Sequence, residues 1–169
     1  MQDAEILQTI AEISIALTGF TGVVAFFGDR GRGTWSSADL WRFSNLLHLS
    51  ISTLLFSFTP ILLVKLGVDV AGAWRLSSAL MAAHFAFVTV QVGRSFRALP
   101  ENDRPEIVPL IAGLLFGSQA IVFLLLVASA AGVVYSGESA PVLVALVWRI
   151  GMTAYQFVML LGVLRPTSR

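Results

Sequence analysis

The sequence has 169 residues, of which 56% are hydrophobic and 12% are charged, and its formal net charge is +1. This composition lies outside the range of soluble domains and predicts a protein whose main solvent is a lipid bilayer. The small net charge and the lack of a basic patch argue against a nucleic-acid partner. The chain has no cysteine, which excludes disulfides, thiolate metal sites and thiol nucleophiles.

Five apolar stretches are long enough to cross the ~30 Å hydrocarbon layer as helices. The predicted fold is an all-α, polytopic bundle of five transmembrane helices that forms one domain over residues 1–169, with no soluble domain. The predicted spans are, in chain order, residues 6–28, 40–66, 72–93, 107–134 and 140–164.

Arginines concentrate on one side of these spans, which predicts the orientation of the chain. They flank the first and third connections and follow the fifth span, at Arg30, Arg32, Arg42, Arg94, Arg97, Arg104, Arg165 and Arg169. Cytoplasmic loops retain basic residues during insertion, so the N-terminus is predicted outside and the C-terminus in the cytoplasm. We expect the membrane to be the bacterial inner membrane. No cleavable signal peptide is expected, because no basic region precedes the first apolar stretch.

The connections are short, and the longest spans only residues 94–106. There is no internal repeat, no phosphate-binding glycine loop and no HExxH-type metal motif, so no catalytic or metal site is predicted. Any recognition must therefore occur inside the bundle, at its short loops or on its lipid-facing sides.

Two spans contain ionisable residues at membrane depth, Glu12 in the first and Arg149 in the last. Each lies ~7 to 9 residues below the predicted outer end of its helix, at a depth of roughly 10 to 14 Å. A buried ion pair is therefore predicted, because pairing is the least costly way to hold two opposite charges in hydrocarbon. Removing one partner would leave the other uncompensated at a cost of ~3 to 5 kcal/mol. The pair either locks the first helix to the fifth or lines a polar pathway that binds an ion. In a third interpretation, Glu12 lies at the outer interface.

Other polar residues form stripes at helical spacing. The stripes are Arg149, Thr153 and Gln156 in the fifth span, Ser77, His84 and Gln91 in the third, and Ser44, His48 and Ser52 in the second. With Gln119 in the fourth span, they predict a polar column through the bundle. The alternative is a set of interhelical hydrogen bonds, each worth ~0.6 kcal/mol.

Small residues predict where helices pack closely. They form a stripe on the first span and a GxxxG motif in the fourth, comprising Ala11, Ser14, Thr18, Thr21 and Ala25, and Gly113 and Gly117. These surfaces can meet within one chain or between chains. We expect a homo-oligomer, since five helices enclose little volume and a channel forms more easily around an oligomer axis.

His48 and His84, the only histidines, are predicted at similar depth on neighbouring helices. They could be axial ligands of one haem, the only cofactor that the sequence suggests. The alternatives are hydrogen bonding to neighbouring groups and a role as proton-responsive groups in a pathway.

The sequence as a whole predicts a channel-like or transport protein for an ion, a proton or a small polar solute. The alternative is a non-transporting membrane subunit or scaffold that binds a partner protein. An intramembrane enzyme comes third, because no nucleophile or metal cluster accompanies the acid and base groups.

Overall fold

The computed structural model describes residues 3–31, 36–103 and 109–161, and within these ranges it contains helices and no strand. The helices are α1 (Ala4–Gly31), α2 (Ser37–Lys65), α3 (Val70–Ala98), α4 (Pro109–Ala130) and α5 (Ala140–Leu160), with a short 3-10 helix at Glu101–Asp103. All five α-helices are long and apolar enough to cross a membrane. The predicted all-α fold with five spans is confirmed.

Some sequence predictions concern positions outside the described residues. These are the start of the fourth span at residue 107, the end of the fifth at residue 164, and Arg32, Arg104, Arg165 and Arg169. The side chains of Ala25 and Arg30 also lie outside the described part of the structure.

Side-chain acceptors fix where α2 and α3 begin. The Asp39 backbone N–H donates to Ser36 Oγ over 3.1 Å, and the Gly72 backbone N–H donates to Asp69 Oδ2 over 2.9 Å. Each acceptor satisfies one of the N–H groups that a helix leaves unpaired in its first turn. The sequence around both positions thus sets the helix start locally.

The fourth helix ends at Ala130, four residues before the predicted end at Val134. The chain turns because Gly132 and Tyr135 adopt positive φ angles of 77° and 48°. In addition, Arg75 Nη2 of α3 donates to the Ala130 carbonyl over 3.3 Å, which caps the end of α4 with a positive charge. The predicted boundary was therefore too late, because Val133 and Val134 are apolar residues of a turn.

The turn between α4 and α5 packs tightly on the start of α3. Gly137 has a φ of +78°, and a Cβ placed there would lie 2.6 Å from Ala71 Cβ and 3.0 Å from Ala71 Cα. Nearby, the hydroxyls of Ser78 and Ser129 lie 3.3 Å apart across the α3–α4 interface. We call this end of the bundle the clasp. It comprises Arg75, the paired serines Ser78 and Ser129, and the turn that contains Gly137.

In the bundle, α5 contacts each of the other four helices, α2 contacts α1, α3 and α5, and α4 packs on α3 and α5. The interior is apolar around Leu7, Met81, Leu126 and Leu146, each at most 1% exposed. Leucine, isoleucine and phenylalanine side chains cover much of the outer surface. This distribution suits a protein whose surroundings are as apolar as its core.

The predicted stripe of small residues on α1 is largely a packing face. Ala11, Ser14 and Thr21 are buried, and Thr18 is half-buried. Of the two arrangements predicted for Gly113 and Gly117, the structure does not show packing within the chain, because both are exposed and an added Cβ at either would meet nothing within 4 Å beyond its own helix. The GxxxG motif therefore does not mediate packing within the described part of this chain.

Candidate functional site

Arg149 is the most deeply buried charged residue of the described chain, with 1% of its surface exposed. It lies nine positions after Ala140, the first residue of α5, or ~14 Å along the helix axis. Its Nε donates to Thr53 Oγ1 over 3.2 Å, its Nη1 contacts His84 Nδ1 over 3.1 Å, and its Nη2 donates to Ser52 Oγ. The guanidinium thus joins α5 to α2 and α3.

The hydroxyl partners are positioned as acceptors by their own helix. Thr53 Oγ1 donates its proton to the Leu49 carbonyl over 2.7 Å, and Ser52 Oγ donates to the His48 carbonyl. Each hydroxyl therefore keeps its lone pairs for the guanidinium, which has donors only. For the same reason His84 Nδ1 must accept, so this ring is neutral and carries its proton on Nε2.

Two aromatic rings flank the charge. The Arg149 Cζ lies 5.3 Å from the ring centre of Phe85 and 5.8 Å from that of Phe56. A cation over an aromatic face gains ~0.5 to 2 kcal/mol, more when water is excluded. Like the hydrogen-bond partners, however, these rings are neutral, so none of the contacts cancels the positive charge.

The structure does not bring Glu12 to Arg149, which corrects the predicted ion pair. Glu12 lies on the exposed face of α1, where its Oε1 accepts from Gln8 Nε2 over 2.9 Å. Ala11 and Ser14 occupy the buried face, and at ~100° per residue Glu12 points away from both. No carboxylate of the described residues lies within ion-pair distance of Arg149.

The two histidines do meet. Their rings are stacked with centres 5.3 Å apart and planes 8° from parallel. Axial haem ligands instead approach one iron from opposite sides, each with a ring nitrogen pointing at the metal. Haem binding stays a prediction. It requires both rings to turn, and His84 would have to bind the iron either through Nε2 or through Nδ1 after losing its contact with Arg149. Within the described residues, no group of three His, Asp or Glu side chains could hold a metal ion.

A cavity of about 230 Å³ adjoins Arg149 and is bounded by α2, α3, α4 and α5. Its wall is mainly apolar, with the aromatic residues Trp41, Phe85, Phe96, Phe116 and Trp148. The polar residues of the wall are Asn45, His48, Thr89, Gln119, Arg149 and Gln156. The cavity occupies the half of the bundle in which α2 and α4 begin, which the arginine distribution predicts to be cytoplasmic.

Several polar groups of this wall already hold helices together. Trp148 Nε1 donates to Ser118 Oγ over 3.1 Å, and Gln119 Nε2 donates to Thr89 Oγ1 over 2.5 Å. In contrast, Asn45 Nδ2 is buried and has no hydrogen-bond partner among the described residues. A buried donor without an acceptor costs ~1 to 3 kcal/mol, so the Asn45 amide destabilises the folded chain by about this amount.

The other predicted site residues divide between the cavity and the surface. Gln156 lines the cavity, and Thr153 is buried with its hydroxyl donating to the Arg149 carbonyl over 2.9 Å. Gln91 is exposed, and Ser77 is buried but donates to the Ala73 carbonyl of its own helix. The predicted polar column therefore does not continue through α3.

Sequence reasoning missed two residues of the site, Thr53 and Asn45. Asn45 precedes His48 by three positions, so the two share a face of α2 and the histidine could have indicated it. Thr53 gave no such signal, because it lies one position beyond the predicted stripe that ends at Ser52. Its role depends on the placement of Arg149 from α5.

We expect Thr53→Val to reduce stability, because valine keeps the shape but leaves Arg149 Nε without its acceptor. The expected loss is ~1 to 3 kcal/mol in the free energy of unfolding, measured by titration with a denaturing detergent. Thr59→Val is the matched control, since the Thr59 hydroxyl only donates to the Leu55 carbonyl of the same helix over 3.1 Å. Equal effects of the two substitutions would show that the contact with Arg149 contributes nothing.

Comparison with known proteins gives no relative from which a role could be transferred. No protein-family model, no curated protein and no solved structure matches this chain.

Proposed function

We propose that this integral membrane protein binds a small anion in the cavity beside Arg149 and carries it through the bilayer. The observation that supports the proposal is a guanidinium that is 1% exposed, lies in the cavity wall and has only neutral partners among the described residues. Among the solutes that the sequence left open, an anion is the one whose charge complements this site.

The energetic argument concerns an uncompensated buried charge. Transferring an ion into a protein interior costs several kcal/mol even after relaxation, and neutral hydrogen bonds offset only part of that cost. Among the described residues, three of the five N–H groups of Arg149 have partners, so two remain for a ligand. A bound anion would supply both the missing charge and the missing acceptors.

Flux measurements in liposomes test this proposal. Purified protein is expected to accelerate release of labelled methanesulfonate, a permanently charged anion, at least tenfold over protein-free liposomes. Release of labelled rubidium, the cation control, is expected to stay at the protein-free rate, because the fixed guanidinium repels cations. Accelerated rubidium release without methanesulfonate release would overturn the proposal. Release of neither ion would favour the non-transporting scaffold.

We further propose that a second copy of the chain covers the face of α1 that carries Gln8 and Glu12. Both side chains are exposed within the membrane-spanning segment Ala4–Val24, although ionisable residues at this depth almost always face protein or water. The exposed Gly113 and Gly117 add a second surface suited to close helix contact between copies. The orientation expected from the arginines places the cavity toward the cytoplasm of an inner membrane.

Single cysteines test this arrangement directly, because the chain has none of its own. We expect Gln8→Cys to form a disulfide-linked dimer upon mild oxidation in membranes. Leu55→Cys, which replaces a side chain that is 62% exposed on α2, is expected to stay monomeric. A Gln8→Cys protein that remains monomeric, or that crosslinks to a different protein, would contradict contact between two copies at this face.

A further inference from the structure

We infer that the anion is a monovalent organic acid with one compact apolar group, such as an aromatic ring, and not a bare inorganic ion. This inference rests on the proposed function and adds the chemical class of the solute. It follows from the character of the cavity wall, from its single charge and from its volume.

The wall offers carbon surface to most of a bound molecule. Of its two indole rings, Trp41 donates its Nε1 proton to Ser95 Oγ over 2.9 Å, and Trp148 donates to Ser118 Oγ over 3.1 Å. Both rings therefore present only carbon atoms for new contacts. A bare ion gains nothing from such a surface, whereas an apolar group gains ~25 cal/mol for each Å² that leaves water.

The wall also determines the charge of the ligand. Arg149 is the only charged side chain among the described residues that line the cavity. One negative charge is balanced by this guanidinium, but a second would remain uncompensated in an apolar environment.

The volume of the cavity suits a small apolar group. A cavity of about 230 Å³ is smaller than the ~300 to 1,000 Å³ of pockets for drug-sized ligands. It accommodates an aromatic ring with one acid group. Benzenesulfonate, which stays anionic at every accessible pH, represents this class.

Equilibrium dialysis of the full chain in detergent with labelled benzenesulfonate tests the inference. We expect benzenesulfonate to bind at least tenfold more tightly than methanesulfonate or chloride, measured by competition. Benzenesulfonamide, a neutral molecule of nearly the same shape, is expected to compete at least tenfold more weakly than benzenesulfonate.

A cavity-filling variant provides an independent test. Gly93 lines the cavity, and a Cβ added there meets nothing within 4 Å beyond its own helix, so Gly93→Leu is expected to fill space without a clash. It should weaken benzenesulfonate binding at least tenfold and leave chloride binding within twofold. Gly151→Leu is the control, because Gly151 also has free space around its Cα but does not line the cavity.

The outcomes separate the inference from the function on which it rests. If methanesulfonate and chloride compete as well as benzenesulfonate, the cavity selects charge alone and only the inference is overturned. Full benzenesulfonate binding by Gly93→Leu would also overturn only the inference. If no anion binds, or if benzenesulfonamide competes equally, the proposed anion site is overturned as well.

Discussion

Arg149→Met is expected to weaken anion binding strongly while the protein remains folded and at least as stable as the unaltered chain. Charge-assisted hydrogen bonds contribute ~1.5 to 3 kcal/mol each, so the affinity should fall at least ~10- to 100-fold. Stability should not fall, because no carboxylate is left behind and the desolvation cost of the guanidinium disappears. The Ser52 and Thr53 hydroxyls keep their bonds to carbonyls of α2. Dialysis and denaturing-detergent titration of one preparation measure both quantities.

Arg149→Lys is the matched variant that keeps the positive charge. An ammonium cannot reproduce the planar fork that reaches Thr53 and His84 together, so we expect weaker binding than in the unaltered protein but stronger binding than in Arg149→Met. If Arg149→Met prevents assembly of the protein, Arg149 has a structural role and the expectation is wrong. Unchanged binding by Arg149→Met would remove the guanidinium from the site.

The second large effect is expected at the clasp, where Gly137→Ala should destabilise the protein by ~2 to 5 kcal/mol. One part is the left-handed backbone at a φ of +78°, which costs an L-residue ~1 to 2 kcal/mol. The other part is the approach of the new Cβ to within 2.6 Å of Ala71 Cβ, which forces backbone movement and costs ~1 to 3 kcal/mol. Thermal unfolding in detergent is the measurement.

Two other glycines separate these contributions. Gly67→Ala has the same left-handed backbone, with a φ of +93°, but its added Cβ meets nothing within 4 Å apart from its chain neighbours, so it should cost only ~1 to 2 kcal/mol. Gly151→Ala lies inside α5 with neither problem and should stabilise by ~0.5 to 1 kcal/mol. If Gly137→Ala costs no more than Gly67→Ala, the contact with Ala71 is not tight.

The five spans could be predicted from the sequence because a bilayer requires a minimum apolar length, and length is a property of the chain alone. Helix ends were less certain where apolar residues continue into a turn. The α4 helix ends at Ala130 because an arginine of α3 caps it and the following glycine takes a positive φ. The capping arginine lies on another helix, so the residues around Ala130 do not reveal it.

The error at Glu12 has a specific physical origin. Depth along the membrane follows from residue count, and the count placed Glu12 and Arg149 at a common level. Contact also requires the two side chains to face each other, and the small-residue stripe through Ala11 and Ser14 already marked a different face of α1 as buried. The sequence therefore contained the information that argued against the pair.

Only part of the environment of Arg149 could be predicted from the sequence. Its burial and the proximity of His84 follow from the cost of a charge in lipid and from the polar stripes. The cavity could not be predicted, since it is the space that side chains of four helices fail to fill. Aromatic residues such as Phe85 and Trp148 occur in the same sequence pattern whether they fill a core or line a cavity.

The clasp has a mechanical consequence for the transport function proposed above. Arg75, the paired serines and the Gly137 turn fasten α3, α4 and α5 together at one end, whereas the void beside Arg149 lies toward the other. When helices are held together at one end, a tilt displaces their other ends most. If the protein carries an anion as proposed, tilting of these helices would pivot near Gly137 and change the width of the cavity most between Trp41 and Phe96.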